Sequence, residues 1–231
     1  PDDESPDDES PDDESPDDEF TKDDMSDDDQ STVESREDDF VDLTPDPSCL
    51  IESIRDIGYT LETAVADIID NSISAAANNI HINIGFNEKK NDFYLEIIDD
   101  GFGMNKLEIG NALTLGSKNP THKRASDDLG RFGLGLKTAS YSQCRRLTVE
   151  SFSKETKEKN SYTQDLDKLV ESRKWGADGN KTPIINCGTR IIWEKLDRLE
   201  INLKDLNNDP QKHRTIQIKI GEIAARIQKH I

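Results

Sequence analysis

Little in this sequence could supply a covalent or metal framework. Its three cysteines, Cys49, Cys144 and Cys187, form no C-x-x-C pair, and its four histidines, His81, His122, His213 and His230, are scattered without ligand spacing. That argues against a structural zinc site and a disulfide scaffold. Long apolar runs are missing, as is a charged-then-apolar start. The expectation is therefore no membrane association and a soluble, intracellular protein of a reducing compartment, cytoplasmic or, in a eukaryote, nuclear. A basic excess is lacking too. Of the 49 Asp and Glu residues, 22 lie in residues 1–42 beside only 2 of the 29 Lys and Arg, so the net charge of −20 belongs to that stretch. The neutral remainder carries no strongly basic stripe, and direct nucleic-acid binding is not expected of it.

Residues 1–20 repeat a five-residue acidic unit four times, Pro-Asp-Asp-Glu-Ser three times and then Pro-Asp-Asp-Glu-Phe20. With repelling carboxylates and almost nothing apolar, residues 1–42 are expected to be a disordered tail. It reads either as an interaction segment or as a solubilising extension. Residues 43–231 are long enough for one domain with a sizeable core.

Apolar spacing predicts a short helix from Ser48 to about Gly58 and a longer one from Thr60 to Ala77. Leu61, Val65, Ile68, Ile69, Ser72, Ile73 and Ala76 would face the core. Asp67, Asp70, Asn71 and Ser74 share the other side, either as a solvated face or as a carboxylate and a carboxamide projecting together. Alternation predicts strands over 80–86 and 93–97, with Asn87 to Asn91 as the hairpin turn. The second strand runs into Asp99-Asp100-Gly101-Phe102-Gly103-Met104, a D-x-G-x-G sequence that either closes a strand or brings backbone against something flat.

A helix follows over Asn105 to Leu115, then the patternless connection 116–128, which reads as a lid. It ends in Gly130-Arg131-Phe132-Gly133-Leu134-Gly135-Leu136-Lys137-Thr138. Glycines running into a helix N-terminus make a phosphate cradle, or else a turn with close helix packing. The spacing fits neither a P-loop, because Leu136 separates Gly135 from Lys137, nor the G-x-G-x-x-G of dinucleotide sites. Beyond it come a helix over 134–143, strands over 146–153 and 160–166, a turn-rich loop over 175–180, and a strand entered through Gly188-Thr189. A helix from about Pro210 to Ile231 repeats Ile216, Ile220, Ile223 and Ile227 at helical spacing.

This order of motifs resembles the ATP-binding domain shared by DNA gyrase, the large heat-shock chaperone, sensor histidine kinases, MutL and the MORC proteins, across roughly residues 48–196. The glycine loop and Gly116-Ser117-Lys118 look most like the MORC version and bacterial stand-alone ATPases. The resemblance implies an α+β two-layer sandwich, a mixed β-sheet covered on one face by helices, known as the Bergerat ATP-binding fold. It implies ATP and Mg2+ as cofactors, with Asn71 on the metal, Asp99 accepting from the adenine amine and Thr189 behind the base. Gly101, Gly103 and Met104 would border the base, while Gly130, Gly133, Gly135 and Lys137 would hold phosphates. Asp67 stands where the family has its catalytic glutamate and is one methylene shorter, so binding is better supported than fast turnover. Ser74 and Ala75 stand where the family often has Asp-Ala. Relatives use ATP as a lid-closure and dimerisation switch for a following domain, so the chain is expected to be an N-terminal fragment or a minimal version. A non-hydrolysing nucleotide-gated module is the alternative. Histidine-kinase phosphotransfer ranks below both, because no histidine precedes His81.

Overall fold

Two hairpins and one later strand build the sheet. The computed structural model describes residues 46–116, 135–180 and 185–231. The acidic tail, the connection 117–128, Gly130 and Gly133 lie outside the described residues. Strands β1 (Ile80–Asn87) and β2 (Asp92–Asp99) form one hairpin, β3 (Arg146–Phe152) and β4 (Lys159–Asp165) the other. Asn87 shapes the first turn, its Oδ1 accepting from the N–H groups of Lys89 at 3.0 Å and Lys90 at 3.1 Å.

Strand β6 (Gly188–Glu194) enters between the hairpins, and the two-residue β5 (Asp178–Gly179) adds to the far edge, giving the order β1-β2-β6-β3-β4-β5. The two-layer α+β architecture expected from the sequence is present, with helices on one face. Every strand pairing among the described residues is antiparallel, where a mixed sheet was expected. Strands β2 and β3 do run the same way, but β6 lies between them and pairs antiparallel with each.

The helices are set by their caps. α1 (Pro47–Arg55) starts with proline after Asp46, whose Oδ1 accepts from the Ser48 N–H at 2.8 Å. α2 (Leu61–Ser74) begins after Thr60, whose hydroxyl accepts from the Thr63 N–H at 3.2 Å. α3 (Lys106–Leu113) has a reciprocal capping box between Asn105 and Glu108. Each cap satisfies N–H groups that the helix cannot pair internally. α4 is Gly135–Gln143 and α7 is Lys212–His230. Two short helices, α5 (Leu166–Ser172) and α6 (Leu203–Asn207), are additions to the sequence expectation, as is β5 in the loop read as turns.

Alternate residues on the helix-facing side of the sheet form rows. Leu95, Trp193 and Leu147 oppose one another across β2, β6 and β3, and Ile97, Ile191 and Val149 make the next row. All six are buried beneath Leu61, Ala64, Val65 and Ile68 of α2 and Ile109 of α3. Ile73 and Ala76 depart from their expected core positions. Ile73 is 56% exposed, because the chain leaves the helix at Ala75 and the buried stripe ends with Ser72. In α7, Ile216, Ile223 and Ile227 are buried and Ile220 is half-buried, packing against α2 and β1. No helix among the described residues is long and apolar enough to cross a membrane.

Candidate functional site

The buried rows turn polar at the end of β2. One step beyond Ile97, Ile191 and Val149 stand Asp99, Thr189 and Ser151, all buried. Thr189 opposes Ser151 across β6 and β3, and their hydroxyls are 2.9 Å apart. Met104 donates its N–H to the Ser151 hydroxyl at 2.7 Å. A polar row at this depth persists only because each member has a partner.

Asp99 is the hub. Its Oδ1 accepts from the N–H groups of Gly101 at 2.9 Å and Thr189 at 3.1 Å, and its Oδ2 from the Ser72 hydroxyl at 2.9 Å. A carboxylate offers about four acceptor positions. Three are taken, and the one left is on Oδ2. By spacing alone Ser72 belongs to the apolar stripe of α2. Its place on that stripe is the signal: a hydroxyl on a core face needs a buried partner, and here the partner is Asp99.

Two glycines fix the turns around Asp99. Gly103 has φ +69, and a Cβ there would lie 1.9 Å from the Phe152 carbonyl oxygen; Gly188 has φ +62, with a Cβ 2.0 Å from the Asp99 carbonyl oxygen. Neither position admits a side chain. Outside the row, Asp100 ties the end of β2 to the start of β1. Its carboxylate accepts from the Asn79 side-chain amide at 2.9 Å and from the N–H groups of Asn79 at 3.0 Å and Asn78 at 2.7 Å. Those hydrogen bonds, the Asn79 amide foremost, hold its pKa down at about 2.

A cavity of about 430 Å³ opens over the polar row, bounded by α2, α3, the start of α4 and the sheet. Asn71, Asp99, Gly103, Met104, Gly135 and Thr189 line it together. Glu108 and Asn111 of α3, absent from the sequence expectation, line it as well. Gly101 does not. Its open side meets Ala75, with the Ala75 carbonyl oxygen 2.7 Å from where a Cβ would stand, so its lack of a side chain admits protein.

Lys137 is fully buried, and its Nζ donates to the Ala112 carbonyl at 2.8 Å. It therefore sits at the C-terminal end of α3, where a cation is favoured. Asp67 lies one helical turn before Asn71, half-buried and outside the cavity lining, with Oδ2 accepting from the Tyr59 hydroxyl at 2.7 Å. A second cavity, of about 530 Å³, lies among Leu50, Leu113, Tyr162 and Trp175 and holds none of these residues.

Residues 59–191 match the family described as "Histidine kinase-, DNA gyrase B-, and HSP90-like ATPase". The chain belongs to this family. The matched span runs from Tyr59 through Ile191 and so takes in α2, both hairpins and the start of β6. The family is one of ATP-binding and ATP-hydrolysing enzymes, and its fold uses ATP with Mg2+. A stretch of 87 residues, 38% of the chain, is 35% identical to ATPase morc-1 of Caenorhabditis elegans. That stretch covers 10% of the relative's length.

Proposed function

We propose that this chain binds Mg-ATP in the 430 Å³ cavity, hydrolyses it slowly, and uses lid closure over the nucleotide to change how two chains or two domains associate. The observation that carries the reading is the gathering of Asp99, Thr189, Asn71 and Gly135 around one hollow, in a chain of the ATPase family. The remaining acceptor position on Asp99 Oδ2 receives the exocyclic amine of adenine. Guanine presents a carbonyl there, which the carboxylate repels. Thr189 and Ser151 hold Asp99 and Met104 in place behind the base. The phosphates run toward Gly135 at the start of α4.

Magnesium keeps several waters and takes one or two protein oxygens beside the phosphates. Asn71, which lines the cavity and carries a side-chain oxygen, suits that habit. When bound, the ion supplies charge neutralisation on the phosphate oxygens. Asp67 orients the water. The water oxygen bonds to the γ-phosphorus, the bond to the β–γ bridging oxygen breaks, ADP leaves with that oxygen, and the proton of the water passes to Asp67.

One observation favours the second reading, a nucleotide-gated module without hydrolysis: Asp67 stands outside the cavity lining. Phosphate release measured beside ATP affinity separates the two. Wild type is expected to release phosphate slowly, and Asp67→Asn to bind ATP normally while releasing none above background. Release by Asp67→Asn at the wild-type rate refutes the role given to Asp67.

A further inference from the structure

Tyr59 is joined to the rest of the domain at both ends. It follows Gly58, whose φ of +85 turns the chain between α1 and α2. Its carbonyl accepts from the Gln143 side-chain amide at 3.0 Å, and Gln143 is buried at the end of α4. Its hydroxyl donates to Asp67 Oδ2, on α2, at 2.7 Å. The helix that begins at the cavity with Gly135 thus also anchors, through the Tyr59 carbonyl, the residue that holds Asp67.

We propose that Tyr59 is the positioning residue of the hydrolytic step: anchored on α4, it fixes one oxygen of Asp67 and leaves the other to aim the attacking water. The inference rests on the hydrolytic reading above. An aspartate on a helix face has several rotamers, and misaiming a water by about an ångström costs about a hundredfold in rate. The Tyr59 hydroxyl removes that freedom. Asp67 Oδ1 has no hydrogen-bond partner among the described residues, so it is the oxygen available to water. Burial, and then the carboxylate it donates to, push the Tyr59 phenol above its ordinary value, so it remains a donor at neutral pH.

The test uses the full chain, with steady-state phosphate release and calorimetric ATP affinity for wild type, Tyr59→Phe, Asp67→Glu and the double variant. Loss of one charge-assisted hydrogen bond lowers kcat in Tyr59→Phe about tenfold. ATP affinity stays within about twofold, because Tyr59 acts through Asp67 and not through the nucleotide. Asp67→Glu is one methylene longer and breaks the pairing geometry, so adding Tyr59→Phe to it costs less than about twofold. Equal fold-losses in the two backgrounds assign Tyr59 a merely structural role and overturn the proposal. An unchanged kcat in Tyr59→Phe beside an active wild type overturns it as well, leaving the ATPase reading intact. Wild type that binds ATP but releases no phosphate overturns the proposal together with the hydrolytic reading.

Discussion

Asp99→Asn separates the fold from the nucleotide site more cleanly than any other single change. Asparagine keeps an oxygen for the Gly101 and Thr189 N–H groups that Asp99 Oδ1 now receives. The amide nitrogen replaces Oδ2, and the Ser72 hydroxyl can rotate to accept from it while donating to the Ile68 carbonyl, now 3.4 Å away. The folded state thus loses about 1 kcal/mol or less. For adenine the change is severe, because its amine meets an NH2 group where a carboxylate acceptor stood. A hydrogen bond to a charged group, worth about 1.5–3 kcal/mol, is lost, and two buried donors are left facing each other at a further cost of about 1–3 kcal/mol. The sum, about 2.5–6 kcal/mol, raises the Kd for ATP by about 10²–10⁴-fold. Calorimetric titration with Mg-ATP, beside a thermal melt of the same sample, reads both halves. Wild-type affinity in a folded Asp99→Asn variant would refute the assignment of Asp99 to the base.

Three further outcomes concern the frame around the site. Arg55 is buried and donates to the Tyr141 and Cys144 carbonyls at 2.8 and 2.9 Å and to both oxygens of Asp197. Arg55→Leu leaves the end of α4 unpaired, and urea denaturation should show a loss of about 2–4 kcal/mol. Asp100, with its pKa lowered from 3.8 to about 2, stabilises the fold fully above its unfolded value and progressively less as pH falls through about 2. The stability gap between wild type and Asp100→Asn should accordingly be constant from pH 7 to about 5 and close toward pH 2, in urea midpoints measured across that range. Burial raises the Cys144 thiol, whereas Cys49 and Cys187 are exposed. A thiol reagent should label two cysteines in the native chain and the third only on unfolding.

What the sequence made legible was periodic or turn-bound. The Thr60 cap, the Asn87–Asn91 turn and the Asp99–Gly103 strand end all lie where local chemistry fixes the backbone, and their positions could be read directly. The place of β6 could not, because insertion between two hairpins is decided by long-range pairing that leaves no local trace. The same holds for the site. Asn71, Asp99, Gly135 and Thr189 belong to recognisable motifs, and the structure brings them to one cavity. Ser151 and Tyr59 bond to partners 38 and 8 residues away, and nothing in their own neighbourhoods marks them. Lys137, at the start of a glycine-bordered helix, reads as a phosphate ligand, and in the fold its amine donates to the carbonyl of Ala112.

The central claim is that one hollow, floored by a strand-end carboxylate, takes adenine and the phosphates together. Calorimetric titration of the full chain with ATP, with GTP and with ATP after magnesium removal tests it most directly. The account predicts one site per chain that binds ATP, binds GTP at least about a hundredfold more weakly, and loses affinity without the metal. Equal affinity for ATP and GTP, or no heat with ATP from folded protein, would contradict it.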